Sequence, residues 1–584
     1  MFEKPLTKKE LFFVFIWLFL GQIWLSLILA FLGIFYSAII LIYLLGAGSF
    51  LGYLIWKNFS QIKPTKSEIF FLSLALFFIV LFSFFSQPTI FSGRDQGSLS
   101  EAAIRLSKNH KLAFSSSATK EFFKIYGPGQ ALNFPGFSYK ENGDLITHFP
   151  LGYIAWLASF FSLFGIFGLT IANGVSFFVF SCAFYLLAKK LLPPFSAFVT
   201  WILSATVFTS FWFFKFTLSE NLALALVWLG IYFFVLFWDN SKKSYFILSF
   251  FTFGLLLFTR IEGLAFLLTF IILFFLKFKN NHPLKFLLDK KIIFLFFTII
   301  ILYFFNIYVD QQFFISIAKA LLGPLFESSN NSFLPSNPFS SIWQIMKIFY
   351  LYGLLLFFLL GLAGATLSLQ EKKIKILIPF LIILPAIIYV IYPNISGDHP
   401  WMLRRFMFAI IPISILYSAI FLEKFFRRKI IIHTFLILFL VGNSIMLFRF
   451  LRYIPNHNLL AQIEKISHNF KETDLVLIDQ KATGENWAMM SGPMSFFYNL
   501  QAVYFFNPQD LEKIDRSKFS AVYWIIPNDN LDFYSKNNLI EKLEPIENYF
   551  IENRTIGKIS VNENLFLPQA ETHLILGKIY LLKQ

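Results

Sequence analysis

The chain has 584 residues, of which 57% are apolar, 20% aromatic and only 14% charged, and its formal net charge is +16. So few charges cannot cover a water-facing surface without aggregation, so a soluble globular protein is excluded and lipid must solvate much of the molecule. A nucleic-acid partner is excluded too, because the Lys and Arg residues up to Phe450 sit in short clusters at the ends of apolar segments instead of forming one basic face interleaved with aromatics.

Apolar stretches recur from Leu11 to about Phe450, each long enough to cross a hydrocarbon core of about 30 Å as a helix of roughly 20 residues. The first, Leu11 to Phe31, is too long for a cleavable signal peptide and no small-residue cleavage pattern follows, so it stays in the mature chain. Lys4, Lys8 and Lys9 put the N-terminus in the cytoplasm; a turn near Gly33 leads into a second span over 34–56, and Lys57, Lys63 and Lys66 are again cytoplasmic. A third span over 68–86 delivers the loop 87–147 to the outer side, and a loop of about 60 residues is too long to be a mere connection.

Farther on, Lys189/Lys190, Lys242/Lys243, Lys277 to Lys291, Lys372 to Lys375 and Arg427/Arg428/Lys429 mark successive cytoplasmic turns. The helix over 430–449 then runs outward. This count requires 148–190 to cross once, although it is long enough to cross twice around Gly165 and Gly168. The count is satisfied if Phe149 to Phe164 is re-entrant or lies at the outer interface, giving about 13 spans in a multi-pass plasma-membrane protein. From about Pro455 the hydropathy fades. A helix over Leu459 to Phe470 and strands over Leu475 to Asp479, Ala502 to Phe506 and Ala521 to Ile526 suggest a small extracytoplasmic α/β domain over 454–584. Ala482-Thr483-Gly484-Glu485-Asn486 lacks the spacing of a phosphate-binding glycine loop. The role expected of this domain is acceptor recognition or a structural cap.

A charge in or at the mouth of a membrane segment costs about 2.5–3.5 kcal/mol on insertion scales and needs a reason to persist. The outer turns hold Arg94, Asp95 and Glu101 in the long loop, His148 at its end, Lys215 and Glu220 next, then Arg260 and Glu262, and finally Asp398, His399, Arg404 and Arg405. Each alone reads as an interfacial anchor or ion pair. As a set, acids and bases alternate around one face, and several cations around a few carboxylates suit an anion whose charge grows during reaction, such as a phosphate leaving group.

Three signals stand out within this set. In Ser92-Gly93-Arg94-Asp95-Gln96-Gly97-Ser98, Asp95 precedes an amphipathic helix with Leu99, Ala102, Ala103 and Leu106 on one face, expected to lie along the membrane surface. There Asp95 serves either as a helix cap or as a catalytic group. In Thr147-His148-Phe149-Pro150-Leu151-Gly152-Tyr153, His148 binds phosphate or hydrogen-bonds at the interface. Arg260-Ile261-Glu262-Gly263 interrupts an apolar run as a turn with a local ion pair.

These signals, in this order, resemble the membrane glycosyltransferases of the GT-C class, in the family 39 or protein-mannosyltransferase-like branch. Arg94-Asp95-Gln96-Gly97 is similar to that family's acidic first-loop motif, and His148-Phe149-Pro150-Leu151-Gly152-Tyr153 to its basic residue followed by Pro-Leu-x-Tyr. Thr217-Leu218-Ser219-Glu220-Asn221, Thr259-Arg260-Ile261-Glu262-Gly263 and Arg404-Arg405-Phe406 with Pro412 also look similar. The resemblance covers about 70–450 and implies a GT-C-like catalytic core over 68–453, preceded over 1–67 by two additional transmembrane helices.

The resemblance further implies transfer of a sugar from a polyprenyl-phosphate donor to a lipid, glycan or protein acceptor on the outer face, with inversion at the anomeric carbon. Asp95 would be the general base. Arg94, His148, Lys215, Arg260, Arg404 and Arg405 would be candidates to hold the carrier phosphate, with Glu101, Tyr153, Glu220, Glu262 and His399 completing the substrate site. Many members have two adjacent acids in the first loop, whereas Gln96 follows Asp95 here; no cofactor is assigned and a divalent cation stays an open alternative. The competing functions are a membrane glycan polymerase or ligase, a transporter of lipid-linked sugars, and a receptor. The polymerase or ligase would place its long loop late in the chain, and the transporter would show paired halves.

Overall fold

The computed structural model describes residues 6–87, 90–91, 94–278, 286–311, 314–315, 338–371, 373–391, 397–484, 489–536, 539–560 and 566–583. Lys4, Ser92, Gly93, Lys279, Lys285, Lys372, Glu485 and Asn486, from the segments named above, lie outside the described residues.

The chain opens with α1 (Lys8–Leu32) and α2 (Ser37–Lys57), followed by a short turn of helix, α3 (Phe59–Ile62), and by α4 (Lys66–Phe84). Thr7 and Glu10 start α1 as a capping box, and Thr65 and Glu68 repeat the device on α4, satisfying backbone N–H groups that the first turn leaves unpaired. Gly33, in the left-handed region at φ 67°, ends α1 and turns the chain back. Among the described residues, eight helices are long and apolar enough to cross a membrane, or eleven if each of three bent helix pairs counts as one span. Three shorter apolar helices accompany them: α7 (Leu151–Phe164), α12 (Lys243–Leu257) and α13 (Gly263–Lys277).

The basic clusters of the sequence gather at one end of this bundle. Lys8 pairs with Glu68 at 2.7 Å, Lys243 with Asp289 at 2.7 Å, Lys375 with Asp239 at 2.9 Å and Lys424 with Glu371 at 3.1 Å. Lys9 joins the first group to the second through the Tyr245 ring, 5.1 Å away.

The long loop is a folded unit at the opposite end. It contains α5 (Asp95–Asn109), α6 (Ser117–Tyr126) and a three-stranded antiparallel sheet of β1 (Gly129–Gln130), β2 (Phe137–Tyr139) and β3 (Leu145–Thr147). Leu99, Ala102, Ala103 and Leu106 are buried as their spacing predicts, but so are Gln96, Ser98, Ser100 and Glu101 on other faces. α5 is clamped between α7 and the C-terminal region, because small residues let its polar side approach neighbours closely. Ser100 and Thr217 hydroxyls, for instance, are 2.6 Å apart.

α7 stays at this end of the bundle. Its first turn docks on the turn after α12, where Gly152 N–H donates to Phe258 O at 2.6 Å; a Cβ on Gly152 would stand 2.8 Å from that oxygen. Its far end sets Phe161 against Phe497 of the C-terminal region, ring centres 6.1 Å apart. After a break at Gly165, φ 58°, α8 (Ile166–Leu191) runs antiparallel to α4, with Phe177 against Phe82 and Tyr185 against Phe71. Fourteen residues of helix reach only about 21 Å, against 26 residues in α8, the longer of the two helices between His148 and Lys189.

The bundle continues through the bent pair α9 (Pro194–Thr206) and α10 (Phe208–Phe214), then α11 (Ser219–Asn240), α12, α13 and later helices to Lys429–Leu451. The C-terminal region is an α/β layer: a five-stranded sheet in the order β6-β5-β7-β10-β8, with β5 (Leu475–Asp479), β6 (Gln501–Phe505), β7 (Val522–Pro527), β8 (Leu543–Ile556) and β10 (Ala570–Leu582). β5 pairs with β6 and β7 in parallel; β10 pairs with β7 and β8 antiparallel. The three predicted strands are present within one residue of their expected ends, and the predicted helix is Leu459–Ser467. β8 and β10, the two longest strands, were not foreseen. This layer is bound to the long loop: Asn133 Nδ2 donates to Tyr504 O at 2.6 Å, Arg105 to Ser495 Oγ at 3.0 Å, and Tyr126 hydroxyl to the Asp510 carboxylate.

Candidate active site

Asp95 is the first residue of α5, where the unpaired N–H groups of a helix start favour a negative charge. Its Oδ2 lies 2.6 Å from Arg404 Nη2, and its side chain is 41% exposed. The turn that carries it is held from two sides. Inside, the Thr217 and Ser100 hydroxyls each reach Gln96 O at 2.9 Å. Outside, Arg94 Nη2 pairs with Asp398 Oδ2 at 2.6 Å while its guanidinium lies 4.7 Å from the Trp401 ring centre. Asp398 belongs to a two-residue strand, β4 (Asp398–His399), paired with β9 (Ile559–Ser560) of the C-terminal region. The residue preceding Asp95 is thus anchored through Asp398 to the C-terminal layer.

Beside Asp95 is a cavity of about 160 Å³ lined by His148, Phe149, Glu220, Arg260 and Arg405, among others. Arg260 is the most heavily engaged of the three arginines, with four of its five N–H groups directed at acceptors. Its Nε and Nη2 donate to Glu262 at 3.1 and 2.9 Å, and its Nη1 lies 2.8 Å from Glu220 Oε1 and 3.2 Å from Ser219 Oγ. Arg404 bridges Asp95 and, at 3.8 Å, Glu220. Arg405 makes one 3.2 Å contact to Glu262 Oε1, and its buried Nε has no hydrogen-bond partner among the described residues. Three carboxylates therefore face three guanidinium groups, with formal charges that cancel. Burial pushes the His148 imidazole below its ordinary range while Asp95 nearby pulls it back.

Such a set suits an anion that arrives to take up the slack on Arg405. It suits a cation less: each carboxylate is already given to an arginine, and among the described residues no three His, Cys, Asp or Glu side chains come together as a metal cradle.

No family model matches the chain, and no curated protein matches it by sequence. Among solved structures, ArnT from Cupriavidus metallidurans bound to undecaprenyl phosphate is similar at a TM-score of 0.52 and 11% identity, over 87% of this chain and 97% of that one. The fold is the GT-C fold. The Archaeoglobus fulgidus oligosaccharyltransferase in complex with Zn and sulfate is similar at a TM-score of 0.49 and 13% identity, over 80% of this chain and 69% of that one.

Within this GT-C fold the structure brings together Asp95, His148, Glu220, Arg260, Glu262, Arg404 and Arg405 from turns far apart in sequence. The other residues expected at the site lie elsewhere. Lys215 is buried and its ammonium donates to the carbonyls of Phe450, Leu451 and Tyr453 at 3.0, 2.6 and 2.7 Å, which spends its three hydrogens on the end of helix Lys429–Leu451. Glu101 turns toward the C-terminal layer and pairs with Arg105 at 2.8 Å; burial pushes its carboxyl up and Arg105 pulls it back.

Tyr153 is fully buried and donates to Asn173 Oδ1 at 2.7 Å, bracing the turn before Glu220, since Asn173 Nδ2 in turn donates to Phe214 O and Phe216 O. His399 is 1% exposed with its Nδ1 3.1 Å from the Tyr352 hydroxyl, and burial pushes its pKa down to about 4. Arg94 lines a separate small cavity with Gln96, Trp212 and Trp401. Ser219, Thr259 and Phe149 line the main cavity without having been singled out for it; each adjoins a residue that was.

Proposed function

We propose that the protein is a membrane glycosyltransferase that moves a sugar from a polyprenyl-phosphate carrier to an acceptor hydroxyl on the outer face of the membrane. The observation that carries this reading is Asp95, a part-exposed carboxylate at the rim of a cavity whose walls carry the incompletely paired Arg405. Asp95 takes the proton of the acceptor hydroxyl; the oxygen attacks the anomeric carbon from the side opposite the phosphate, and the carbon–oxygen bond to the phosphate breaks with inversion. The phosphate leaves with its extra charge on the guanidinium side, where Arg405 ranks first by its Nε–H, which lacks a partner among the described residues, Arg404 second and the heavily engaged Arg260 last. Arg404 holds Asp95 in place and has to share it with the incoming hydroxyl.

On this reading the basic end of the bundle with the N-terminus faces the cytoplasm. The cavity, the long loop and the C-terminal layer then face outward, with residues 1–67, 68–453 and 454–584 as added helices, catalytic core and outer domain. The concentration of the charged set at one end favours chemistry at a membrane face over alternating access. The test is transfer of radiolabelled sugar from a panel of polyprenyl-phosphate donors in proteoliposomes holding wild type or Asp95→Asn at equal levels. Transfer by the wild type alone supports the reading, whereas equal transfer by both removes Asp95 from the mechanism.

A further inference from the structure

Helix Pro338–Leu351 and helix Leu355–Gln370 form one of the three bent pairs, with 118° between their directions. The break between them is a built helix end. Gly353 takes the left-handed region at φ 69°, its N–H donates to Tyr350 O at 3.1 Å, and Leu354 N–H reaches back to Phe349 O at 2.7 Å. This closure ends one helix before the next begins. The second helix then runs the length of the bundle by itself, its 16 residues covering about 24 Å. It starts just after Tyr352, whose hydroxyl lies 3.1 Å from His399 Nδ1 at the cavity end, and stops beside Glu371, which pairs with Lys424 among the lysines at the other end. The first helix is surplus to that passage and lies across the cavity end.

Its two sides differ. Ile345, Ile348, Phe349 and Tyr352 are buried, and Phe349 stands edge-on to Phe406, ring centres 5.1 Å apart, in the turn that carries Arg404 and Arg405. Trp343 and Tyr350 are 63% and 73% exposed, about two turns apart on one stripe, with Lys347 between them. The Lys347 ammonium lies 5.8 Å from the Trp343 ring centre and has no ion pair among the described residues. All three side chains join an apolar body to a polar tip, the composition that settles at a membrane–water boundary. Chain length fixes the same depth. Only Tyr352, Gly353 and Leu354 separate this helix from one whose exposed Leu356, Leu359 and Leu362 match acyl chains.

We propose that helix Pro338–Leu351 is moored in the headgroup layer of the bilayer, with Trp343 and Tyr350 at the acyl boundary and Lys347 on lipid phosphate. Through Phe349 and Phe406 the mooring sets the turn of Arg404 and Arg405 at headgroup depth. That the leaflet is the outer one rests on the orientation adopted above. The mooring itself holds whatever the chemistry at Asp95.

The test uses the full chain with Cys182→Ala, so that one nitroxide can be attached at Trp343→Cys or at Tyr350→Cys, in vesicles of equal parts phosphatidylcholine and phosphatidylglycerol. Depth is read from collisions with oxygen and with a water-soluble nickel chelate. Both labels should sit about 5–10 Å into the boundary between headgroups and acyl chains, at depths within about 5 Å of each other. Labels as open to the chelate as a water-facing loop, or depths about 10 Å apart as seven residues of a spanning helix would give, overturn the proposal. Lys347→Glu should move the label at Trp343→Cys toward water, seen as about a twofold rise in chelate collisions, and an unchanged rate overturns lipid phosphate as the partner of Lys347. If a cysteine variant loses its thermal transition, the wild type compared with Trp343→Phe decides. Trp343 emission must be quenched more by phosphatidylcholine brominated near the headgroup end of its chains than near the methyl end, and the reverse order refutes the mooring.

Discussion

Replacing Asp95 by Asn separates catalysis from folding, because the two carboxylates nearest the cavity differ in burial. Asp95 is 41% exposed and its pair with Arg404 spans the cavity rim, so losing the charge costs about 0–1 kcal/mol of stability. A positioned general base contributes about 10²- to 10⁴-fold in rate, which at 1.36 kcal/mol per decade is roughly 3–5 kcal/mol of barrier. Asp95→Asn should therefore lose at least a hundredfold in kcat with a thermal midpoint within a few degrees of wild type. Glu220→Gln should do the reverse in emphasis: Glu220 is 3% exposed beneath Arg260, and removing one partner of a buried pair costs about 3–5 kcal/mol. The assay is single-turnover sugar transfer in proteoliposomes, paired with fluorescence-monitored melting of the same preparations. An Asp95→Asn protein that transfers within threefold of wild type, or one that fails to fold, refutes the assignment of Asp95 as a base on a separately supported turn.

Arg405→Lys should raise KM for the lipid-phosphate donor about tenfold with a smaller change in kcat, since a planar donor whose Nε–H has no partner among the described residues is replaced by a point charge; donor titration at saturating acceptor checks it. Asp398→Asn should lower kcat more than it raises either KM, because the Arg94–Asp398 pair holds the residue preceding Asp95 and does not line the cavity beside it; steady-state kinetics with donor and acceptor varied separately check it. Lys215→Met should destabilise the junction of helix Lys429–Leu451 with the C-terminal layer by about 1–3 kcal/mol, as the three carbonyls lose their donor, measurable as increased proteolysis near Tyr453. His399 titrates near 4 when folded and in its ordinary range, near 6.5, when unfolded. The unfolded chain thus binds more protons between those values, and stability falls as pH drops from about 6.5 toward 4. His399→Gln should reduce that slope in melting curves taken across this window.

The period and placement of apolar and basic residues determined the membrane class, the common end for the lysine clusters, the turn at Gly33 and three C-terminal strands. Those properties are local: a run of apolar side chains or a cluster of lysines carries its consequence wherever the chain goes. The charged turns were legible as a set for the same reason, since an ion in an apolar chain has to be accounted for. Their partners were not. Only folding brings Arg404 to Asp95 across 309 positions of sequence and gives Arg260 to Glu220 and Glu262, leaving Arg405 with a nitrogen that has no partner among the described residues. Only folding sends Lys215 to the end of another helix and Glu101 away from the cavity.

β8 and β10 escaped notice because their residues alternate weakly, with Glu and Asn on the exposed side and Pro545 near one end, and their pairing is held by neighbours and not by local pattern. Burial of α5 on several faces was likewise invisible, since small polar residues such as Ser98 and Ser100 look solvated until another segment is packed against them. A charge announces that it needs a partner, and only the tertiary structure says which one it gets.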